Sequence, residues 1–195
     1  ALQPLLQHYP DVVVSVDTFR SSVARQCVEK YGVSMINDIS GGELDERMFD
    51  TVAQLRVPYI MMHMRGTPQT MQQQTGYEDV TADLLKYFSQ KLERLFRLGV
   101  NDVILDPGFG FSKTLTQNYE LMRHLGDFRI FGLPLLVGVS RKSMIYKLLE
   151  TTPEESLNGT TVLHTYALLQ GADILRVHDV RAAKEAIRIV QQLKG

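Results

Sequence analysis

The sequence predicts an α/β fold built around a parallel β-sheet. Six short apolar runs, rich in β-branched residues and without polar alternation, are typical of strands covered on both faces. Amphipathic helical segments separate these runs, and each run ends in polar residues. Regular alternation of this kind predicts right-handed βα units joined into one parallel sheet.

The six predicted strands share one arrangement, an apolar run followed by a polar tip. The runs are Val12–Val16, Ser34–Ile36, Tyr59–Met62, Val103–Leu105, Leu133–Val139 and Ile174–Val177. The tips are Asp17-Thr18, Asn37-Asp38, His63, Asp106, Ser140-Arg141-Lys142 and His178-Asp179, and Arg176 lies within the last run. Helices are predicted between them, at Ser21–Lys30, Glu46–Leu55, Asp83–Leu98, Asn118–Leu125, Ser143–Leu149, Ser156–Gln170 and Val180–Leu193.

Two architectures fit this alternation, a doubly wound sheet and a TIM (β/α)8 barrel. A doubly wound sheet concentrates its site at one switch point, whereas polar residues here end all six strands, as in a barrel whose chemistry gathers at one face. A full barrel has about 250 residues, and this chain has 195. We therefore expect a single domain over residues 1–195 with six of the eight βα units, strands 3 to 8. Because the chain begins with Ala1 rather than methionine, we expect the first two units to be missing from it.

Composition limits the function classes. The 21 basic and 22 acidic residues give a net charge of −1, and no basic stripe is present, so nucleic acid is not expected as a partner. Cys27 is the only cysteine. It allows no disulfide within this chain and predicts a reducing, cytoplasmic location. No apolar stretch approaches the roughly 18 residues of a membrane span, so no membrane partner is expected.

The segment from Asp102 to Lys113 is the most informative stretch. Its apolar strand ends at Asp106, and a Pro-Gly turn follows, in which glycines let the backbone approach a ligand. Phe109 and Phe111 are expected to flank that space with flat apolar surface. An acid beside a glycine turn and aromatic rings predicts a floor for a small, flat, polar ligand. The alternative is that Asp106 only caps the next helix.

Acidic and amide side chains end two further strands. Asp17, Asn37 and Asp106 would point into one barrel mouth, where an acid and an amide can recognise the amino and ring N–H groups of a heterocycle. Buried carboxylates there would need a cationic or hydrogen-bonding partner. Asp17 and Asp38 could instead be helix caps or ties between loops.

Basic residues end the last two strands. Lys142, where a strand gives way to a helix, is placed to lie over a planar ligand, and Arg141 either does the same or is a solvated surface residue. Arg176 and His178 lie just before the last helix, whose N-terminus offers free N–H groups and a positive dipole. A phosphate or diphosphate position is therefore predicted there, and Asp179 can cap the same helix.

Other reactive residue types carry weaker signals. His63, between two methionines, is interpreted as structural more readily than catalytic. Cys27 lies on an apolar helix face and is assigned to the core. The sequence contains no HExxH motif and no Cys/His cluster, so a protein-caged zinc ion is not expected.

Taken together, these segments resemble the dihydropteroate synthases of the folate pathway over essentially the whole chain. The resemblance is carried by Val16-Asp17-Thr18, Ile36-Asn37-Asp38-Ile39, Met61-Met62-His63-Met64 with Gly66 and Pro68, Asp106-Pro107-Gly108-Phe109-Gly110-Phe111, Gly138-Val139-Ser140-Arg141-Lys142-Ser143, and Arg176-Val177-His178-Asp179-Val180. It implies a TIM barrel that joins 6-hydroxymethyl-7,8-dihydropterin diphosphate to p-aminobenzoate and releases diphosphate.

The resemblance also implies roles for residues of this chain. The residues implied to bind pterin are Asp17, Asn37, Met62, Asp106, Phe111 and Lys142, of which Asp17, Asp106 and Lys142 are also implied to be catalytic. Arg176 and His178 would bind the diphosphate. Ser140 and Lys142 would border the p-aminobenzoate site, where sulfonamides compete. A homodimer through the late helices and a Mg²⁺ cofactor are implied as well.

Two features separate this sequence from the family pattern. The Asn-x-Thr-Pro-Asp-Ser-Phe and Ser-Thr-Arg-Pro loops of the first two family strands do not occur in it, so the resemblance places no metal ligand in this chain. Ser112 stands where the family carries glycine or alanine. Two alternatives remain, a methyltransferase domain that binds a pterin or methyltetrahydrofolate, and a fragment that binds pterin without turnover.

Overall fold

Strands and helices alternate along the computed structural model, which describes residues 2–195. The strands are β1 (Ser15–Asp17), β2 (Met35–Asp38), β3 (Tyr59–Met62), β4 (Val103–Asp106), β5 (Leu136–Val137) and β6 (Ile174–Leu175). The helices are α1 (Leu2–His8), α2 (Ser21–Tyr31), α3 (Met48–Leu55), α4 (Val80–Arg97), α5 (Leu115–Arg123), α6 (Ser143–Tyr146), α7 (Leu157–Leu169) and α8 (Val180–Lys194). Short 3₁₀ helices occupy Met71–Gln73 and Leu125–Phe131.

The strands of the described chain lie side by side in chain order, all parallel. β1 to β4 pair in succession, and β5 pairs with β6. Leu105 joins the two groups, because it bridges to Leu135 and its N–H donates to the Pro134 carbonyl over 2.9 Å. A doubly wound sheet would reverse its strand order, and no reversal occurs within residues 2–195. The winding is therefore that of a barrel, left open between β1 and β6, which do not pair in this part of the chain.

The two faces of the sheet bury different sets of side chains. Ile36, Met61 and Leu105 point toward the helices and join the main core. Ile60 and Ile104 point the other way, into a smaller cluster on the inner face. Side chains alternate along a strand, so the residue two positions after each inner one also faces inward. Met62 and Asp106, two positions after Ile60 and Ile104, thereby lie side by side at the strand tips. Asn37 lies beside Ile60, one residue pair closer to the centre of the sheet.

Local sequence signals explain where several helices begin and end. The Asp79 side chain accepts from Ala82 N–H over 2.9 Å at the start of α4, and Thr114 forms a capping box with Gln117 at the start of α5. Gly32 ends α2 with a left-handed φ of 65°. Each predicted helix begins and ends within three residues of an observed one.

Two strands, β1 and β5, are clearly shorter than predicted. The run Val12–Val16 was expected to be a strand, but Val13 is 72% exposed and β1 begins only at Ser15. The run Leu133–Val139 contains Pro134, which has no N–H for a ladder, and only its centre pairs as β5. None of the helices in the described range is long and apolar enough to cross a membrane.

Candidate active site

Four polar side chains from four strands meet at the open mouth of the sheet. Asn37 Nδ2 donates to Asp17 Oδ2 over 3.1 Å, and Arg176 Nη1 donates to Asn37 Oδ1 over 3.3 Å. Arg176 Nη2 lies 2.7 Å from Asp106 Oδ2. We call Asp17, Asn37, Arg176 and Asp106 the polar chain. Arg176 supplies the cation that the buried carboxylate of Asp106 needs. The sequence had assigned Arg176 only to the diphosphate.

Asp106 has one oxygen that is not fully used. Its side chain is 1% exposed, and Gly108 N–H donates to Oδ1 over 2.8 Å. Oδ2 is in ionic contact with Arg176, but the two groups are not aligned for a hydrogen bond, and no other donor from residues 2–195 reaches it. Buried polar atoms are nearly always paired. This oxygen is therefore placed to accept an N–H group from a ligand.

Asp17 occupies the edge of the polar chain, on β1. The residue as a whole is exposed, but its carboxylate faces the other polar side chains. Partial burial there raises the pKa of Asp17, against the lowering effects of Arg176 and of the hydrogen bond from Asn37. Asp17 thus sits close to Asn37, as the motif predicted.

Lys142 lies over the turn that follows β4. Its Nζ donates to the Phe109 carbonyl over 2.5 Å and is 4.8 Å from the centre of the Phe111 ring. Burial lowers the pKa of Lys142 to about 8, while Asp106 opposes and Arg176 reinforces this shift. Phe111 is half-buried and presents its ring to this space, whereas Phe109 is fully buried in the core and does not.

Met62 lies beneath the turn rather than on the surface of the site. It is fully buried, and a Cβ at Gly108 would lie 3.3 Å from its Cγ. Met62 therefore supports Gly108 from below.

Asp38, at the end of β2, is also fully buried and accepts from Ser40, Gly42 N–H and the Tyr59 hydroxyl. Of its predicted alternatives, a tie within the loop region is the one observed.

Ser140 and His178 meet at the start of α8. Ser140 is buried, and its Oγ lies 3.0 Å from His178 Nδ1 and accepts from His178 N–H over 3.2 Å.

Asp179 occupies the N-cap position, but its side chain accepts from Arg141 Nε and Nη2 over 2.8 and 2.9 Å. The expected capping bond is therefore absent from that carboxylate. Of its two predicted roles, that of a solvated surface residue is wrong, because the Arg141 side chain is 24% exposed and pairs with Asp179.

Two buried basic side chains complete the surroundings. Lys113 is 4% exposed and His63 is 2% exposed, and Lys113 Nζ lies 3.1 Å from His63 Nδ1. His63 is thus buried and in contact with another buried side chain, which fits the structural role favoured from the sequence. Lys113 received no role from the sequence. Lysine is rarely found fully buried, and the sequence gives no sign that this one is.

A cavity of about 320 Å³ opens along the inner face below the polar chain. Asp17, Asn37 and Arg176 line its upper part, and Ile60 and Leu136 line its lower part. Ligand sites combine apolar walls with a few placed polar groups in this way. A larger cavity of about 430 Å³ lies at the opposite, amino ends of β5 and β6, away from the predicted site residues.

The fold and the site together define a class of protein. It is a parallel β/α barrel protein that gathers acidic, amide and basic side chains at the carboxyl ends of its strands. Chemistry in such barrels takes place at this end.

Comparisons with known proteins agree with this class. Residues 1–178 match the family described as Pterin binding enzyme. The Escherichia coli (strain K12) dihydropteroate synthase is 43% identical over 183 residues, which is 93% of this chain and 64% of that protein. The Yersinia pestis dihydropteroate synthase, solved as a complex with a sulfonamide drug, aligns with a TM-score of 0.93 and 38% identity over 99% of this chain and 70% of that one.

A third relative is the dihydropteroate synthase of Thermus thermophilus. Its complex with 6HMPPP aligns with a TM-score of 0.93 and 38% identity over 100% of this chain and 76% of that one, and a second structure of it contains 4-aminobenzoate. The chain belongs to the pterin-binding enzyme family, and these relatives within it are dihydropteroate synthases. It spans about 64% of the length of the first curated relatives. The family and the barrel-type fold predicted from the motifs are confirmed.

Proposed function

We propose that this protein is a dihydropteroate synthase, the transferase that joins 6-hydroxymethyl-7,8-dihydropterin diphosphate to p-aminobenzoate in folate biosynthesis. The observation that carries the proposal is the polar chain, which links the acid, amide and guanidinium groups of four strand ends. Three of its members, Asp17, Asn37 and Arg176, line one cavity. The match to dihydropteroate synthases over 93% of the chain supports it.

The pterin ring is held by the polar chain. The free lone pair of Asp106 Oδ2 accepts from the ring N–H and amino groups, and Asn37 can donate and accept beside it. Asp17 adds a second carboxylate at the edge of the site. Lys142 donates to the ring from above, and Phe111 offers an aromatic face for stacking.

The diphosphate lies toward the start of α8. A guanidinium has five N–H donors, and Arg176 directs only its two Nη groups at Asn37 and Asp106. Its side chain is 41% exposed, so the remaining donors are accessible to an anion. His178 is exposed beside it, and the amides of α8 are not capped by the Asp179 side chain.

The p-aminobenzoate ring lies against Ser140 and the stem of Lys142. Sulfonamides compete for the same position. Structures of the Thermus thermophilus enzyme with 4-aminobenzoate and of the Yersinia pestis enzyme with a sulfonamide drug support binding of both kinds of molecule.

The reaction then follows from this arrangement. The bond between the pterin methylene carbon and the diphosphate oxygen breaks, and its electron pair leaves with the diphosphate. Positive charge spreads over the dihydropterin, where Asp106 and Asp17 stabilise it, while Arg176 and His178 stabilise the departing anion. The p-aminobenzoate nitrogen forms the new bond to the methylene carbon and releases its proton to water.

Mg²⁺ is proposed as the cofactor that accompanies the diphosphate, since this ion is commonly held through substrate phosphates and few carboxylates. Within residues 2–195, no group of three or more His, Cys, Asp or Glu side chains could hold a metal ion. These residues therefore do not form a cage for it, and no step is assigned to the ion here.

A cytoplasmic homodimer is also proposed. The outer surfaces of α7 and α8 carry apolar side chains that are largely exposed, at Val162, Leu169, Ile189 and Leu193. A second copy of the chain would cover such a surface. Light scattering over a concentration series tests this, and Ile189→Lys should shift the protein toward the monomer.

The central test is product formation by the purified protein supplied with both substrates and Mg²⁺. Equal amounts of 7,8-dihydropteroate and diphosphate are expected, with competitive inhibition by a sulfonamide. Binding of the pterin diphosphate without product would favour the non-catalytic alternative. Binding of methyltetrahydrofolate, with no binding of the pterin diphosphate, would favour the methyltransferase alternative.

A further inference from the structure

Lys113 forms a three-way tether under the candidate pterin site. Its Nζ donates to the carbonyls of Gly108 and Phe111, each over 3.0 Å, and lies 3.1 Å from His63 Nδ1. An ammonium has three N–H groups, so this geometry satisfies all of them. The ammonium is a donor only, so in this form of Lys113 the third N–H is directed at His63 Nδ1 as acceptor.

Burying the Lys113 ammonium costs free energy, which favours a functional reason for a lysine at this position. Lys113 is 4% exposed and forms no ion pair within residues 2–195. Burial of a cation without a paired anion disfavours its charged form. Burial accordingly lowers the pKa of Lys113 to about 7, although Asp106 raises it, and Lys142 and Arg65 lower it further. An apolar side chain would avoid this cost.

The atoms that Lys113 holds belong to the turn that carries the site. Gly108 N–H donates to Asp106 Oδ1, and the Phe109 carbonyl accepts from Lys142. Phe111 lies under the Lys142 ammonium. By binding carbonyls at both ends of this turn and the His63 ring that follows β3, Lys113 fixes the turn against the neighbouring strand.

Ser112 adds a second tie between the same two segments. Its Oγ accepts from Arg65 N–H over 2.8 Å, and its φ is 47°. This left-handed backbone favours glycine. Serine at this position is therefore somewhat strained, but its side chain gains the hydrogen bond from Arg65 N–H. The turn after β4 is therefore anchored to the segment after β3 at two successive residues.

We propose that Lys113 is a positioning residue, whose buried ammonium holds the turn Gly108–Phe111 in the geometry that aligns Asp106, Phe111 and Lys142 on the pterin. This inference rests on the proposed function for the identity of the ligand, but not for the tether itself. Misplacement of reacting groups by about 1 Å can lower a rate about 100-fold.

The test compares Lys113→Met with Lys147→Met, a matched control at an exposed lysine. In Lys113→Met, amide hydrogen exchange of residues 106–113 should accelerate and kcat/KM for the pterin diphosphate should fall by about 100-fold. KM for p-aminobenzoate should change less, because only Lys142 of the three aligned residues borders that site. Lys113→Arg, which keeps charge and donors, should recover part of both losses. Lys147→Met should match the parent protein.

The outcomes separate the two proposals. The positioning role would be overturned if amide hydrogen exchange of residues 106–113 were unchanged in Lys113→Met. It would also be overturned if this exchange were faster but kcat/KM for the pterin diphosphate were unchanged. Equal losses for both substrates would do so as well, because they would indicate general damage. A parent protein that does not bind the pterin diphosphate would refute the proposed function, while the exchange comparison would still decide on the tether. If Lys113→Met does not fold, Lys113→Gln is measured under the same criteria.

Discussion

Replacing Asp106 with asparagine should damage the chemical step far more than it damages folding. The substitution keeps the shape of the side chain, and the asparagine Oδ1 can still accept from Gly108 N–H, which is 2.8 Å away in the parent protein. It removes the negative charge and places an NH₂ donor where Oδ2 has a free lone pair. The interactions lost are therefore the contact with Arg176 and the bond to the pterin.

The magnitudes follow from these contacts. A hydrogen bond to a charged group contributes about 1.5–3 kcal/mol. The variant loses the pterin bond to Oδ2, and its NH₂ group would face a pterin N–H group. Together these changes should weaken transition-state binding by about 3 kcal/mol. At 1.36 kcal/mol for each factor of ten, kcat/KM should fall about 100-fold. Folding should lose only about 1 kcal/mol, because the Arg176 side chain is 41% exposed and water can solvate the freed guanidinium.

Asp38→Asn is the matched control, since Asp38 is an equally buried aspartate at the end of β2, in the same sheet. Its Oδ2 accepts from Gly42 N–H and the Tyr59 hydroxyl, each over 2.8 Å, and its Oδ1 accepts from Ser40. An asparagine NH₂ would oppose these donors and leave one of them unpaired. We expect a loss of about 3 kcal/mol in the free energy of unfolding, with a smaller change in kcat/KM per folded molecule.

Product formation and urea unfolding are measured on both variants. Asp106→Asn should mainly lose activity, and Asp38→Asn should mainly lose stability. Turnover by Asp106→Asn equal to that of the parent would refute the assigned role of Asp106. A loss of kcat/KM that matched the loss of folded protein would refute it equally, because the effect would then lie in stability alone.

Two further predictions concern the same end of the sheet. Because the pKa of Lys142 is lowered to about 8, its ammonium loses its proton as the pH rises through 8. Pterin affinity should then fall by up to about tenfold for each pH unit above that value, a step that calorimetry should detect and that Lys142→Arg should remove. Gly108→Ala should cost about 3–5 kcal/mol in urea unfolding, because φ is 71° and the new Cβ would lie 2.1 Å from the His63 carbonyl oxygen. Gly132→Ala, with φ of 63° and no atom within 4 Å of the new Cβ, should cost only about 1–2 kcal/mol. Equal losses at the two glycines would contradict the close-contact argument.

The order of elements could be predicted from the sequence because it depends on local patterns. Continuous apolar runs mark strands that are covered on both faces, and the helical spacing of apolar residues marks α4 and α8 to within three residues. The ends of the strands could not be predicted in the same way. Val13 has the composition of a strand residue but is 72% exposed, since no neighbouring strand pairs with it among the described residues.

The sequence by itself determined which residue types end each strand, and with them the family, because each motif is a short segment whose residues act together. Only the tertiary structure decided which side chains are partners. Arg176 reaches across the mouth to Asn37, 139 positions away, and Arg141 pairs with Asp179, 38 positions away. Lys113 is bonded to His63, 50 positions earlier. Such contacts depend on the register and curvature of the sheet, which arise from the packing of all its strands and leave no trace in any single segment.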